Sequence, residues 1–219
     1  MDVIGVITGD IVNSTSIGPE WRDRIFQSLQ AVQADFTTAK IDVKYEMFRG
    51  DSFQVMVHPS TATLLIAIAI RIKLISQTPD DCGKKWDARV SVGIGHYDFE
   101  SSTIVTSDGE AFVLSGRRFD TLKKARLAVQ TPWDAVNDEL DVSTAFADDI
   151  ITNTTIKQAV VVYEMLQNHT YTDSLTQATL SETLNDSKAN FSLKWQRAKG
   201  NLITTYLKRA EKLILTHIR

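Results

Sequence analysis

The sequence predicts an α+β sheet domain over residues 1–148, followed by an all-helical domain over residues 149–219. In the first part, short apolar strands alternate with helical patterns in the order β-α-β-β-α-β-α-β, which is typical of a split βαβ sheet. Beyond about residue 153, apolar residues recur only at helical spacing. The chain has 219 residues, 43% of them hydrophobic, which is enough for one large core or two modest ones.

The elements of the first part follow from local patterns. Residues 2–8 are a β-branched apolar run that ends at a Gly-Asp pair, which predicts a buried strand. A helix is expected from Pro19 to about residue 38, and strands over 41–48 and 53–57 flank a turn at 49–52 as a hairpin. Residues 60–76 fit both a helix face and strand alternation, and their length favours a helix. A strand over 88–97, a helix over 108–124 and a short strand over 127–130 complete the domain.

The second part is helical and basic. Residues 131–152 contain Pro132 and the acidic pair Asp148-Asp149, so we expect them to be irregular and to hold the domain boundary. Helices are expected over about 153–168 and 176–184, and a long one from about Ser187 after a short polar turn, which is typical of a helix-turn-helix. Residues 152–219 hold nine Lys/Arg against five Asp/Glu, a net charge of +4, whereas the whole chain carries −3. A basic tail on an acidic body is expected where the tail contacts DNA.

Composition excludes several classes of protein. The single cysteine, Cys82, has no partner for an internal disulfide and is too few for a zinc site. The N-terminus lacks the basic segment of a secretory signal. The most apolar stretch, residues 64–70, is far shorter than the roughly 20 residues that span a bilayer. We therefore expect a cytoplasmic protein with no membrane contact.

Two aspartates stand at corresponding places in two motifs, GDIVNST at 9–15 and RGDSFQV at 49–55. In a sheet of this order, the end of the first strand lies beside the hairpin turn, so Asp10 and Asp51 are expected to converge. Two carboxylates about 4 Å apart repel by roughly 4 kcal/mol at an effective dielectric near 20. Mg²⁺, which binds one or two carboxylates together with phosphate oxygens, would neutralise them. The alternative is that each aspartate only ends its own strand at a turn.

These motifs resemble known signatures. The first resembles the Asp-Ile-x-Gly-(Phe or Ser)-Thr signature of class III nucleotide cyclases, and the second resembles their Gly-Asp hairpin, which is related to that of diguanylate cyclases. Arg89 with SVGIG at 91–95 resembles the cyclase Arg-x-Gly-Ile strand. With DGEAF at 108–112, nearly the whole chain resembles the SatD family, a cyclase-type domain followed by a helix-turn-helix. The resemblance implies a ferredoxin-like fold, metal binding by Asp10, Ile11 and Asp51, and a homodimer, because cyclase-type sites lie at dimer interfaces.

The sequence departs from working cyclases where the base is read and the ring is closed. Met47 stands in place of the base-reading Lys, and Ser115 and Phe119 stand near the positions of the transition-state Asn and Arg. We therefore expect cyclisation to be lost and binding of a nucleotide or metal-phosphate group to remain. The candidate phosphate-binding residues are Arg49, Arg89, Arg117 and Arg118, each of which also fits a surface charge or one end of an ion pair.

The predicted recognition helix supplies candidates for DNA contact. Residues near the start of such a helix reach base edges, and cations further along contact phosphates. The base-side candidates are Ser187, Lys188, Asn190 and Phe191, and the backbone candidates are Lys194, Arg197 and Lys199. The alternative is a helical dimerisation or docking module with a solvated basic face.

Three functions follow from these observations. The leading one is a DNA-binding transcriptional regulator whose cyclase-like domain senses a nucleotide or phosphate ligand or dimerises. The second is a Mg²⁺-dependent enzyme of phosphoryl or nucleotidyl transfer. The third is a non-catalytic interaction scaffold. The missing cyclase residues favour a protein without enzymatic activity.

Overall fold

The computed structural model describes residues 3–38, 40–48, 50–97, 104, 108–169 and 177–218. The strands are β1 (Val3–Ile11), β2 (Asp42–Phe48), β3 (Ser52–His58), β4 (Ala88–His96) and β5 (Leu127–Gln130). The helices are α1 (Arg22–Thr37), α2 (Thr63–Ser76), α3 (Glu110–Asp120), α4 (Asp134–Thr152), α5 (Ile156–His169), α6 (Gln177–Thr183), α7 (Lys188–Arg197) and α8 (Gly200–His217). Residues 60–76, which fit two patterns, therefore form a helix from Thr63 onwards.

The sheet has the order β2-β3-β1-β4-β5. Strand β3 lies antiparallel between β2 and β1, and β1 lies antiparallel between β3 and β4. Two interleaved split βαβ units result, one through α1 and one through α2, as the predicted element order requires. Strand β5 is added parallel to β4 at the edge. The fold is thus a mixed α/β arrangement around a five-stranded sheet.

Helices cover both faces of this sheet. Helices α1 and α2 pack on one face over the large core, where alternate strand residues such as Ile7, Phe53 and Val92 are buried. Helix α3 packs on β4 and β1 across the other face, over a smaller apolar cluster that includes Val6 and Ala111. Along β1, Asp10 is in line with the residues that face α3, and Ile11 is in line with those that face the large core. The two side chains therefore lie on opposite faces of the sheet.

The prediction that residues 131–152 are irregular is wrong. They include α4, whose Val136, Leu140, Thr144, Ala147 and Ile151 recur at helical spacing and are buried. Of the acidic pair, Asp148 is a buried member of this helix and accepts hydrogen bonds from Arg71 and from the backbone N–H of Arg126. A partner distant in sequence therefore stabilises an acid that local composition would place in a loop.

A buried ion cluster joins α4 to the sheet. The Arg71 side chain on α2 is fully buried, and its Nε and Nη2 donate to the two carboxylate oxygens of Asp87, each at 2.9 Å. Its Nη1 donates to Asp148 at 2.6 Å, and Arg126 also donates to Asp87, at 2.8 Å. Asp87 immediately precedes β4, so the cluster links α2, α4 and the beginning of that strand.

The C-terminal helices continue the same core. Helix α5 packs on α2, and buried side chains from Ile7 to Ile214 belong to one apolar cluster. The expected long helix from Ser187 is instead two helices, since α7 ends at Arg197 and α8 begins at Gly200 after Lys199, which has a left-handed φ of 54°. The predicted boundary between residues 148 and 149 lies inside α4, and the division into two domains stays a prediction. Within the described residues, no helix combines the length and apolar character needed to cross a membrane.

Candidate functional site

Strand pairing brings the two aspartate motifs together. Asp10 lies opposite Ser52 in the β1–β3 register, so the end of β1 reaches the turn that carries Asp51. The backbone N–H of Ile11 donates to the carbonyl oxygen of Asp51 at 3.1 Å, and the Ser14 hydroxyl donates to the Asp51 carboxylate. The segment after β1 and the β2–β3 turn therefore form one continuous rim.

A cavity of about 220 Å³ opens beside this rim. Its floor is apolar, with Ile11, Ile17, Ile25 and Phe26, and its polar edge consists of Ser14, Thr15, Arg22, Gly50 and Asp51. The cavity is smaller than the roughly 300–1,000 Å³ of pockets that enclose drug-sized ligands, so it suits one part of a larger ligand.

The N-terminal turn of α1 contributes a residue that the sequence did not reveal. Arg22 is exposed at the mouth of the cavity and forms no ion pair with any residue of the described segments. It lies 12 positions after Asp10, outside both motifs, and no local signal marks it. Ser14 and Thr15 were visible as part of GDIVNST, but their place on the cavity edge depends on how β1 ends.

Asp10 is held by Arg89. The two residues are opposite each other in the antiparallel β1–β4 register, and the guanidinium bonds both oxygens of the carboxylate, through Nε at 3.0 Å and through Nη2. The same guanidinium lies over the Phe119 ring, 5.4 Å from its centroid. The hydrogen bonds to Asp10, and more weakly the charge of Asp51, raise the pKa of Arg89. Arg89 thus forms an ion pair with Asp10, while the charge of Asp51 acts on it only through space.

These contacts decide whether Mg²⁺ fits between the aspartates. Mg²⁺ needs free oxygen ligands in near-octahedral arrangement. Arg89 occupies both oxygens of Asp10, and Ser14 occupies one oxygen of Asp51. In the segments that the structure describes, no group of three His, Cys, Asp or Glu residues could hold a metal ion. As arranged, Asp10 and Asp51 do not fit Mg²⁺.

The other arginines of the predicted phosphate set lie elsewhere. Arg49 falls outside the described residues. Arg117 is exposed in the last turn of α3. Arg118 donates to Asp141 on α4 at 2.5 Å and lines a different cavity between α3 and α4. Of the three members of this set that the structure describes, only Arg89 contacts either of the two aspartates, and it contacts Asp10.

Helix α3 closes the opposite side of the sheet with small polar groups. Ser115 is fully buried, and its hydroxyl shares a hydrogen bond of 2.9 Å with Thr8. Gln54 donates to the same Thr8 hydroxyl at 3.4 Å. Ser115 is thus engaged with the sheet, and Phe119 with Arg89.

The candidate DNA-binding residues divide into engaged and exposed groups. Ser187 caps α7 and accepts from the backbone N–H of Asn190 at 3.2 Å, as its position predicts. Asn190 and Lys194 both donate to Asp186, at 2.6 and 2.8 Å. Phe191, expected on the base side, is instead fully buried, because it faces the core between α5 and α7. Lys188, Arg197 and Lys199 are exposed.

Comparison with known proteins gives a likeness in structure but not in sequence family. No family model and no curated protein matches this chain. Among solved structures, it is similar to the active GGEEF domain of a diguanylate cyclase from Vibrio cholerae. The two are 14% identical, the match covers 58% of this chain and 83% of that chain, and the TM-score is 0.41.

Proposed function

We propose that this chain binds a nucleotide at the cavity between the end of β1 and the β2–β3 turn, and that it does not cyclise it. The carrying observation is the shared rim, in which Asp51 and Ser14 are hydrogen bonded beside an apolar floor and beside Arg22, which forms no ion pair within the described part of the chain. A planar base fits against Ile25 and Phe26, and the edge hydroxyls and guanidinium suit phosphate oxygens.

The absence of cyclisation rests on α3. Closing a cyclic phosphodiester requires donors that stabilise charge in the transition state. Ser115 is buried against Thr8, Phe119 contacts the Arg89 guanidinium, and no residue of α3 lines the cavity, so this helix offers no donor to a nucleotide bound there. This supports a binding or sensing role, and resemblance to the SatD family remains part of the proposal.

Calorimetric titration with ATP and GTP tests the binding proposal. We expect saturable binding by the wild type and a loss of about tenfold or more in Arg22→Gln, since a charge-assisted hydrogen bond contributes about 1.5–3 kcal/mol. Lys208→Gln, which removes an exposed cation from α8, is the matched control and should bind like the wild type. No binding by the wild type, or equal loss in both variants, would refute the proposal.

A second candidate function is DNA contact by α7. The favouring observation is that Ser187 caps a helix preceded by a short turn, with Lys188, Arg197 and Lys199 exposed on it or directly after it. A homodimer would present two such helices to two half-sites. Lys194, by contrast, is held by Asp186 and is a poor phosphate contact.

Fluorescence anisotropy with a labelled random duplex, at low and moderate salt, measures this contact. We expect binding that weakens as salt rises, and that is reduced in the double variant Arg197→Gln/Lys199→Gln. The control Lys208→Gln/Lys212→Gln removes the same charge from α8 and should bind as the wild type does. If the two double variants behave alike, α7 is not the contact; sedimentation velocity on the same samples reports whether a dimer forms.

A further inference from the structure

The pairing of β1 with β4 fixes the positions of Asp10 and Arg89 relative to each other. The β1–β4 register sets the two residues directly opposite each other, and cross-strand neighbours have Cβ atoms about 4.5–5.5 Å apart. Phe119 on α3 supports the guanidinium from one side. The cation is therefore positioned by three elements before any ligand arrives.

Arg89 keeps donors available while it holds Asp10. A guanidinium has five N–H donors, and Asp10 engages those of Nε and Nη2. The Nη1 donors have no hydrogen-bond partner among the described residues, and the side chain remains 39% exposed. A phosphate oxygen can therefore bind Arg89 while both oxygens of Asp10 stay engaged.

We propose that Arg89 takes the place of a divalent cation at this site, so that the chain binds its nucleotide without Mg²⁺. The guanidinium neutralises Asp10, offsets through space the charge of Asp51, and supplies donors to a phosphate that the two carboxylates would otherwise repel. This inference rests on the proposed nucleotide binding and adds the cofactor requirement. It follows from the occupied carboxylate oxygens of Asp10.

The decisive variant removes the guanidinium and keeps an unbranched, uncharged side chain in its place. In Arg89→Met, Asp10 loses its cation and both of its oxygens become available beside Asp51, which keeps its hydrogen bond from Ser14. We expect wild-type protein to show no Mn²⁺ binding in calorimetric titration to millimolar Mn²⁺, and Arg89→Met to gain a site. Adding Asp10→Asn to Arg89→Met should remove the gained site. Arg117→Met, on the exposed end of α3, is the control and should bind no Mn²⁺.

Nucleotide titration of the wild type gives a test that needs no variant. We expect the affinity for ATP or GTP to change by less than about twofold between buffer with EDTA and buffer with Mg²⁺, after allowing for metal binding by the free nucleotide. An Asp10-dependent increase of about tenfold or more with Mg²⁺ would overturn the inference and favour a metal-dependent site. So would Mn²⁺ binding by the wild type at Asp10, or equal Mn²⁺ binding by Arg89→Met and the wild type. If the wild type binds no nucleotide at all, the proposed function fails, and the Mn²⁺ titrations still decide the role of Arg89.

Discussion

Replacing Arg71 by methionine should destabilise this fold more than any surface change. The side chain is fully buried, and all three nitrogens of its guanidinium donate hydrogen bonds, two to Asp87 and one to Asp148. Methionine fills similar volume but leaves two carboxylates short of their cation in a low-dielectric interior. Removing one partner of a buried ion pair costs about 3–5 kcal/mol. Arg126 still donates to Asp87 through its side chain and to Asp148 through its backbone N–H. We therefore expect the free energy of unfolding to fall by about 3 kcal/mol, at the lower end of that range.

Urea denaturation followed by circular dichroism measures this cost. Total stability of a domain is about 5–15 kcal/mol, so the expected loss is a large fraction of it. Arg209→Met is a matched control, because Arg209 bonds both oxygens of Glu139 in the same bidentate way but on the exposed surface. Its unfolding midpoint should stay unchanged. A loss below about 1 kcal/mol in Arg71→Met, or equal shifts in the two variants, would refute the reasoning.

The pH dependence of that loss gives an internal check. Burial alone would raise the pKa of Asp87, but Arg71 and Arg126 outweigh it and hold the pKa below its usual range. A depressed carboxyl pKa stabilises the fold above the unfolded value, near 3.9, and this stability is lost as the pH falls through the folded value. In Arg71→Met the pKa of Asp87 rises, so the difference in unfolding free energy from the wild type should narrow in acid.

Two further predictions concern α3 and α5, and urea denaturation measures both. Gly116→Ala should stabilise the protein by about 0.5–1 kcal/mol, because a Cβ there contacts nothing within 4 Å and alanine favours the helix interior. Gly93→Ala should destabilise it by about 1–3 kcal/mol, since its Cβ would lie 2.2 Å from the carbonyl oxygen of Ala111. If Gly116→Ala and Gly93→Ala changed the free energy of unfolding in the same direction, the packing of α3 on β4 would be contradicted. Burial, together with the negative charge of Asp35, raises the pKa of Glu164 in the folded protein. The free energy of unfolding should therefore fall as the pH rises through this raised pKa. Glu164→Gln should therefore be more stable than the wild type at pH 7 and equal to it in acid below about pH 4; a less stable variant at pH 7 would disprove this.

Local sequence patterns were sufficient for the elements of the sheet and for placing the two segments that carry Asp10 and Asp51 side by side. Strand alternation and the Gly50-Asp51 turn predict the hairpin, and β1 must end beside it in a split βαβ sheet. These are short-range signals combined with one topological rule. The sequence marks Arg89 as a candidate but does not reveal its pairing with Asp10, because the register of β4 on β1 depends on pairing between residues 79 positions apart.

The acids of α4 show the other limit of sequence reasoning. Composition predicts an irregular segment around Asp148-Asp149, but both lie in a helix, and of the two only Asp149 is exposed. Asp148 faces inward because Arg71, 77 positions earlier, supplies a cation in the core. A charge that is neutralised by a distant partner carries no local mark, so both the helix and its buried acid were missed.

The beginning of β4 connects this ion cluster to the candidate site. The backbone carbonyl of Asp87 accepts from Val12 at 2.9 Å, while its side chain is bound by Arg71, and Arg89 follows two residues later. Because neighbouring peptide units cannot move independently, buried charges fix the backbone that carries the Arg89 guanidinium. We therefore expect Arg71→Met to weaken ATP or GTP binding severalfold at temperatures well below its unfolding midpoint, with Arg209→Met unaffected. Equal affinities in the two variants would mean that the buried cluster serves stability alone.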